Sequence, residues 1–219
     1  MKFDLKFDNS DILEIGSIFC IGSNYSKHIR EMGGVKPENP VIFLKPRAAY
    51  LENGGTIKIP EFSNLCHHEL ELVVIIGEHC SNINKNDAYK YIAGYAVGID
   101  VTLRDIQNIA KQKGQPWAVA KGFVTSAPIS MVVSSSHFNN QIPYFDLLLS
   151  VNGELRQKAN TSEMERSVAE LIEYLSKVFT LNRGDCIFTG TPEGVGQIKS
   201  GDKLLAELVG FTKLEINVE

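Results

Sequence analysis

The spacing of hydrophobic and polar positions predicts a chain built mainly from short strands. Some segments are continuously apolar and others alternate with period two, and Asn152-Gly153 is a strong hairpin signal. Because the strands do not alternate regularly with helices, the pattern favours a β-rich α+β fold over a doubly wound sheet or a TIM barrel. The predicted strands cover residues 1–10, 18–21, 41–44, 69–76, 91–101, 145–151, 154–157, 186–189, 203–209 and 213–218.

Helical spacing appears in three places. A short helix is predicted over 24–32, ended by Gly33 and Gly34. A second is predicted to begin at a capping box of Thr102 and Asp105 and to end near Gly114. The longest is predicted to begin at a second capping box, Ser162 with Glu165. Its apolar stripe, which indicates a core-facing helix, comprises Met164, Val168, Leu171, Ile172, Leu175, Val178 and Phe179.

The composition narrows the class of protein. The 219 residues are 43% hydrophobic and 22% charged, with a formal net charge of −4, so a disordered chain is excluded and no broad nucleic-acid or anionic-membrane surface is expected. No segment has the length of a membrane span, and the four cysteines form no CxxC pair. We therefore expect one cytoplasmic domain over residues 1–219 with reduced cysteines. The glycine-rich loop 190–196 lacks the lysine of a Walker loop and the spacing of a dinucleotide site.

Three carboxylates mark a candidate metal site. Glu69 and Glu71 are predicted to share one face of a strand, and Asp100 ends the next extended run. An isolated pair of this kind is typical of a solvated face, and Asp100 alone is typical of a turn or cap. The apolar continuation 73–76 instead indicates a central strand, where buried carboxylates require a cation. Three oxygen ligands favour Mg²⁺, Mn²⁺ or Ca²⁺ over zinc.

Two further features could supply acid–base chemistry. His28 and Glu31 lie three residues apart on the first helix, so the carboxylate can hold the imidazole in the tautomer of a general base. The alternative is an ordinary surface pair. This short helix, ending in glycines, could close over a site as a lid. Lys121 follows the apolar run 117–120, where its ammonium could stabilise an oxyanion or simply extend to solvent.

Taken together, these motifs resemble the fumarylacetoacetate hydrolase family. The segments that carry the resemblance run in order through nearly the whole chain: Gly22-Ser23-Asn24-Tyr25 through His28 and Glu31, HHELELVVIIG (67–77), GIDVTLRDIQ (98–107), 121–128, and GDCIFTGTPEGVG (184–196). The resemblance implies a mixed β-sandwich or roll with a few short helices. It also implies a divalent ion on Glu69, Glu71 and Asp100, and substrate contacts from Arg104, Gln107 and Thr191.

The implied activity is hydrolysis of a carbon–carbon bond in 3-acylpyruvates by way of a pyruvate enolate, with oxaloacetate decarboxylation as a related reaction. In this interpretation His28, oriented by Glu31, activates water, and Lys121 and Gln107 stabilise the oxyanion. The alternatives are an isomerase or tautomerase of oxaloacetate or unsaturated 2-oxo diacids, and a metal-dependent binding protein. The expected partners are a small 2-oxo acid and a second copy of the chain, with no nucleic acid or membrane.

Overall fold

The computed structural model describes residues 3–31, 33 and 35–219. Met1, Lys2, Met32 and Gly34, which the sequence predictions assigned to the first strand and the end of the first helix, lie outside the described residues. The strands are β1 (Asp4–Lys6), β2 (Ile12–Glu14), β3 (Ile18–Gly22), β4 (Val41–Lys45), β5 (Tyr50–Glu52), β6 (Thr56–Ile57), β7 (Cys66–His68), β8 (Leu70–Ile76), β9 (Ile92–Ile99), β10 (Thr102–Leu103), β11 (Ala127–Ile129), β12 (Val133–Ser134), β13 (Asp146–Val151), β14 (Glu154–Asn160), β15 (Cys186–Phe188), β16 (Gly196–Ile198), β17 (Lys203–Leu208) and β18 (Thr212–Val218).

The helices are fewer and shorter. They are α1 (Ser26–Glu31), α2 (Arg104–Gln112), α3 (Ala118–Lys121) and α4 (Val168–Val178), with 3₁₀ turns at Arg47–Ala49, Lys85–Tyr91, Ser135–Phe138 and Thr161–Glu163. The predicted β-rich α+β fold is confirmed. Within the described part of the chain, no helix combines the length and apolar character needed to cross a membrane.

The largest sheet has the order β4-β3-β15-β8-β9-β11-β5, with β12 also paired to β9. Every residue of β8 is buried, which confirms the prediction of a central strand. Leu70 and Leu72 enter one apolar cluster, whereas Val73 and Ile75 enter a second cluster on the opposite face. Burying both faces of β8 explains why its sequence is apolar throughout.

A second sheet, ordered β14-β13-β17-β18-β6, covers one face of the first. Leu147, Ala206 and Leu214 pack in the same cluster as Leu70. The core therefore lies between two sheets, as expected for a sandwich. The predicted hairpin at Asn152-Gly153 is confirmed, because it joins the antiparallel strands β13 and β14.

The first predicted capping box is wrong. Leu103 precedes α2, and no side chain caps that helix. Thr102 lies in β10, where its hydroxyl donates to the carbonyl of Asp100 at 3.1 Å. Asp105 instead accepts hydrogen bonds from the Ser63 hydroxyl at 2.7 Å and the Asn64 amide at 2.8 Å. Both side chains therefore form other hydrogen bonds and do not cap α2.

The predicted start of the longest helix is also wrong. The capping box is formed by Ser167 and Glu170, so α4 begins at Val168. Ser162 lies in the preceding 3₁₀ turn, and Glu165 contacts α1 through Ser26. The buried face of α4 is formed by Val168, Leu171, Ile172 and Leu175, whereas Val178 is 56% exposed.

Candidate active site

Backbone pairing brings the three predicted carboxylates together. Glu69 interrupts the run between β7 and β8, Glu71 lies in β8 opposite Gly98 of β9, and Asp100 follows β9. The Asp100 amide donates to the Glu69 carbonyl at 2.8 Å, which extends the pairing by one step. One oxygen from each carboxylate lies within 4.8 Å of the others, and all three residues are buried. A solvated sheet face is therefore excluded.

Three cations surround this cluster. Lys121 Nζ donates to Glu69 Oε2 at 2.7 Å and to Asp100 Oδ2 at 2.6 Å. Arg104 Nη2 pairs with the other oxygen of Glu69. Lys45 Nζ lies 2.8 Å from Asp100 Oδ1. Glu71 is different, because among the described residues no cation pairs with it; its Oε2 accepts only the Gly190 amide hydrogen, at 2.7 Å.

Because Glu69 has cationic partners and Glu71 has none among the described residues, their pKa values shift in opposite directions. Burial raises the pKa of Glu69, but Lys121 and Arg104 outweigh burial and hold that pKa below its usual range. Burial also raises the pKa of Glu71, and the neighbouring charges of Asp100 and Glu69 raise it further. Negative charge is therefore least compensated at Glu71, and a cation placed there would stabilise its ionised form.

The donor set fits a hard divalent cation. Asp100 Oδ1 accepts no hydrogen bond from the described residues, because Lys45 lies at ion-pair distance but outside hydrogen-bonding geometry. Buried oxygens normally find a partner, so this atom and the carboxylate of Glu71 are suited to a metal. All three ligands offer oxygen, which favours Mg²⁺, Mn²⁺ or Ca²⁺.

The predicted His28–Glu31 pair is present, and His28 lines a cavity that it shares with the three carboxylates. His28 Nδ1 lies 3.0 Å from Glu31 Oε2, and His28 is 8% exposed. An ionised carboxylate can only accept, so Nδ1 carries the hydrogen, and in the neutral imidazole the lone pair is then on Nε2. Glu31 Oε1 accepts the Gly194 amide hydrogen at 3.1 Å, which ties α1 to the glycine-rich loop. The lid role of α1 stays a prediction.

Lys121 is more constrained than the sequence indicated. It is 2% exposed, and its ammonium donates to Glu69, Asp100 and the hydroxyl of Thr102, at 2.6 Å for the last of these. Burial lowers the pKa of Lys121, but the two carboxylates outweigh this effect and raise it, so the ammonium stays charged. Extension into solvent is excluded. Because all three hydrogens are engaged, an oxyanion would have to replace one of these contacts.

The candidate substrate contacts lie around the same cavity. Arg104 Nη1 donates to Gln107 Oε1 at 2.6 Å, and Arg104 Nε donates to His67 at 3.5 Å. Burial and the charge of Arg104 lower the pKa of His67 to about 4, so His67 is neutral near pH 7. The cavity volume is about 150 Å³, room for a small acid rather than a nucleotide. Its lining includes the predicted residues His28, Glu69, Glu71, Asp100, Arg104, Gln107, Lys121 and Thr191.

Sequence reasoning missed Gln157, which connects the carboxylate strand to the glycine-rich loop. Its Oε1 accepts from His68 Nδ1 at 2.8 Å and from the Leu70 amide at 3.0 Å. Its Nε2 donates to Thr191 Oγ1 at 2.9 Å and to the Pro192 carbonyl at 3.0 Å. A signal was present, because a polar residue at an inward position of a hairpin requires a buried partner.

Sequence reasoning also missed Lys45, which directly follows the predicted strand 41–44. Lys45 is 2% exposed, and its ammonium donates to Ser126 O at 2.9 Å and to the carbonyl of Lys121. Its ion pair with Asp100 brings a second lysine to the carboxylate cluster. A lysine at the end of an apolar strand offers little indication of this role, because most such lysines reach solvent.

A family model described as fumarylacetoacetate (FAA) hydrolase C-terminal matches residues 17–219. The chain belongs to the fumarylacetoacetate hydrolase family. The resemblance drawn from the sequence motifs is confirmed, and so is the fold type that it implied. Membership in this enzyme family also agrees with the buried carboxylates and the adjacent histidine.

Members of the fumarylacetoacetate hydrolase family resemble this chain along most of its length. The Arabidopsis thaliana protein named oxaloacetate tautomerase FAHD1, mitochondrial, is 46% identical over 202 residues, which cover 92% of this chain and 90% of that protein. The oxaloacetate tautomerase YcgM of Escherichia coli (strain K12) is 44% identical over 198 residues, 90% of each chain.

A solved structure of the same family carries a different name. Fumarylpyruvate hydrolase from Pseudomonas aeruginosa, in complex with Mn²⁺ and pyruvate, matches with a TM-score of 0.93 and 36% identity over 99% of this chain and 95% of its own. Similar family members are thus named for tautomerisation and for hydrolysis, in both cases of a 2-oxo acid.

Proposed function

We propose that this protein is a divalent-metal-dependent enzyme that acts on a small 2-oxo acid, with keto–enol tautomerisation of oxaloacetate as its principal reaction. The observation that carries the proposal is the set of three converging carboxylates, of which Glu71 has no cationic partner among the described residues. The names of the two relatives support oxaloacetate as the substrate.

Glu69, Glu71 and Asp100 would hold the ion, with Mg²⁺ or Mn²⁺ as the candidates. When bound, such an ion supplies a Lewis acid that lowers the energy of negative charge developing on an enol oxygen. The Mn²⁺ and pyruvate in the Pseudomonas aeruginosa structure support both the metal class and the ligand class. Lys121 and Arg104, which lower the pKa of Glu69, would keep that carboxylate ionised for this role.

The substrate would be oriented by groups at the base of the cavity. Arg104 uses three of its five N–H hydrogens on Glu69, Gln107 and His67, which leaves two for a carboxylate. Thr191 is held by Gln157 and can donate from its hydroxyl. These donors favour a planar carboxylate next to the 2-oxo group.

Proton transfer is assigned to His28. When the substrate is in its keto form, His28 Nε2 takes a proton from C3 of the substrate. The electron pair of that C–H bond forms the C2–C3 double bond, and negative charge moves to the oxygen on C2. The imidazolium of His28 then gives this proton to the oxygen on C2, which completes the enol, and the reverse sequence restores the keto form. Glu31 stabilises the positive imidazolium that exists between the two transfers.

Hydrolysis of a 3-acylpyruvate is the second candidate. The same His28–Glu31 pair could take a proton from water instead of carbon, and the structural similarity to a fumarylpyruvate hydrolase supports this reaction. Lys121 would then have to turn one N–H from the carboxylates toward the oxyanion. Decarboxylation of oxaloacetate would release CO₂ and leave the enolate of pyruvate, which is also the leaving group in hydrolysis of a 3-acylpyruvate.

The deciding experiment follows oxaloacetate and acetylpyruvate in parallel, with Mg²⁺, with Mn²⁺ and after EDTA, and identifies products by NMR. We expect metal-dependent interconversion of keto and enol oxaloacetate without fragmentation. Acetate plus pyruvate from acetylpyruvate would establish the hydrolase, and loss of CO₂ would establish the decarboxylase. A metal-dependent rise in melting temperature with no turnover of either compound would indicate a binding protein.

The role of His28 is tested by His28→Ala, with His79→Ala at an exposed position as the matched control. His28→Ala should lose at least a hundredfold in kcat while keeping its affinity for Mn²⁺, because the imidazole moves protons and does not hold the ion. Equal loss of Mn²⁺ affinity would contradict this division of roles.

A further inference from the structure

Helix α2 carries a row of polar side chains from the base of the cavity to its rim. The row begins at Arg104 and continues with Gln107, three residues later, and Lys111, seven residues later. This spacing places the three side chains on one face of the helix. All three line the cavity that contains Glu69 and Glu71. Arg104 and Gln107 are buried, whereas Lys111 is exposed, about 10 Å further along the helix axis.

Among the described residues, no carboxylate pairs with the charge of Lys111. Its Nζ lies 5.1 Å from the ring centre of Trp117, which fixes the ammonium over an aromatic face. Arg104 and Lys121 pair with carboxylates, but Lys111 forms no ion pair or hydrogen bond from its side chain to any residue that the structure describes. All three of its N–H hydrogens can therefore be donated to a ligand.

The electrostatic surroundings of Lys111 favour an incoming anion. Partial burial lowers the pKa of Lys111, and the positive charge of Arg104 lowers it further. A bound carboxylate would oppose both effects. Trp117 packs against Phe43, with ring centres 5.7 Å apart, and both rings line the cavity beside the ammonium. The rim thus combines an apolar wall with one uncompensated cation.

We propose that Lys111 binds the second carboxylate of a dicarboxylic 2-oxo acid and makes the enzyme selective for diacids over monoacids. This inference rests on the proposed function, which places the 2-oxo acid end of the substrate at Glu69, Glu71 and Asp100. Arg104 and Lys111 both line the cavity, so Arg104 would face one carboxylate and Lys111 the other. An additional cation on the same helical face is the feature that a monoacid would not require.

The test uses oxaloacetate and 2-oxobutyrate, which differ only in a terminal carboxylate against a methyl group. Tautomerisation of oxaloacetate by the Mn²⁺-loaded enzyme gives KM, and 2-oxobutyrate is added as a competitive inhibitor to give KI. In Lys111→Met we expect KM for oxaloacetate to rise about five- to tenfold, which corresponds to a charged contact intermediate in strength between exposed and buried ones. The KI for 2-oxobutyrate should change less than about twofold. Methionine keeps an apolar, polarisable contact with Trp117.

Two variants serve as controls. Lys111→Arg should restore most of the affinity for oxaloacetate because it restores the charge, and Lys113→Met removes an exposed lysine at the end of the same helix and should leave both constants unchanged. An equal change of KM and KI in Lys111→Met, or no change in either, overturns the inference.

Failure of the proposed function gives a different result. If the wild-type enzyme binds these acids without tautomerising oxaloacetate, calorimetric dissociation constants of the same two acids replace KM and KI, and their ratio still tests Lys111. If the wild-type enzyme binds neither acid in the presence of Mn²⁺, the proposed function and the inference are both overturned.

Discussion

Gln157 connects two parts of the candidate active site, and its removal gives a prediction that can be worked through. Gln157→Leu keeps a similar volume but removes every hydrogen bond of the side chain amide. The buried amide of Leu70 and the Nδ1–H of His68 lose their acceptor. Thr191 Oγ1 and the Pro192 carbonyl lose a donor.

The cost follows from these contacts. A buried donor left without a partner costs about 1–3 kcal/mol, and two such donors are created here. The acceptors add less, because the Pro192 carbonyl also accepts from the Thr191 hydroxyl, at 3.4 Å, and keeps that donor. We therefore expect the free energy of unfolding to fall by about 2–5 kcal/mol. For a chain of this length, that corresponds to a loss of roughly 5–15 °C in melting temperature.

The assay combines urea denaturation with Mn²⁺ titration. Leu70 lies between Glu69 and Glu71, so release of its amide should also displace the ligands and weaken Mn²⁺ binding, by about tenfold for a residue that positions ligands. The matched control is Gln112→Leu, the same substitution at an exposed position of α2, which should change stability by less than about 0.5 kcal/mol.

Two results would refute this reasoning. A loss of less than about 1 kcal/mol would mean that water or a rearranged side chain satisfies the two donors as well as Gln157 does. A large loss of stability with unchanged Mn²⁺ affinity in the folded protein would mean that Gln157 supports the core without positioning the carboxylates.

Three further predictions concern charge and backbone. Glu71→Gln should weaken Mn²⁺ binding by on the order of 100-fold, whereas Glu61→Gln, at an exposed position, serves as the control. Because the pKa of Glu71 is raised, the Mn²⁺ affinity of the wild-type protein, measured by calorimetry, should increase with pH as Glu71 loses its proton. The pKa of His67 is lowered to about 4 from an unfolded value near 6.5, so its contribution to stability is present above pH 6.5 and is lost as pH falls toward 4. In His67→Gln the midpoint of urea denaturation should therefore depend less on pH between about 4 and 6.5, and NMR titration of the wild-type protein gives the pKa directly. Gly194→Ala should lose at least about tenfold in kcat, because the φ of Gly194 is +90° and an added Cβ would lie 2.4 Å from a carbonyl oxygen of β14. Gly201→Ala is the control: the φ of Gly201 is +92°, but no described residue other than its chain neighbours has an atom within 4 Å of the added Cβ, so only stability should fall.

The features that were predicted correctly from the sequence are local ones. The burial of β8 follows from its continuous apolar run, and the shared side of Glu69 and Glu71 follows from alternation along an extended chain. The pairing of His28 with Glu31 follows from three-residue spacing on a helix. Family resemblance extended this picture to the sandwich fold, because its motifs recur in order through the chain.

Helix starts were harder to predict, because the chain offers the same local signal twice. Ser162 with Glu165 and Ser167 with Glu170 both have the spacing of a capping box. The tertiary structure selects the second, since Glu165 is occupied by contacts with α1 and the loop after it. Propensity and capping differ by too little energy to decide between such sites unaided.

The tertiary structure alone decided how the charges of the candidate site are balanced. Lys45, Lys121 and Arg104 come from separate elements, and each can be buried only because the fold brings a carboxylate to it. Residue spacing does not report such long-range contacts. The sequence by itself determined which residues form the candidate site. The packing of the elements determined that, among the described residues, Glu71 has no cationic partner and Lys111 has neither an ion pair nor a side-chain hydrogen bond.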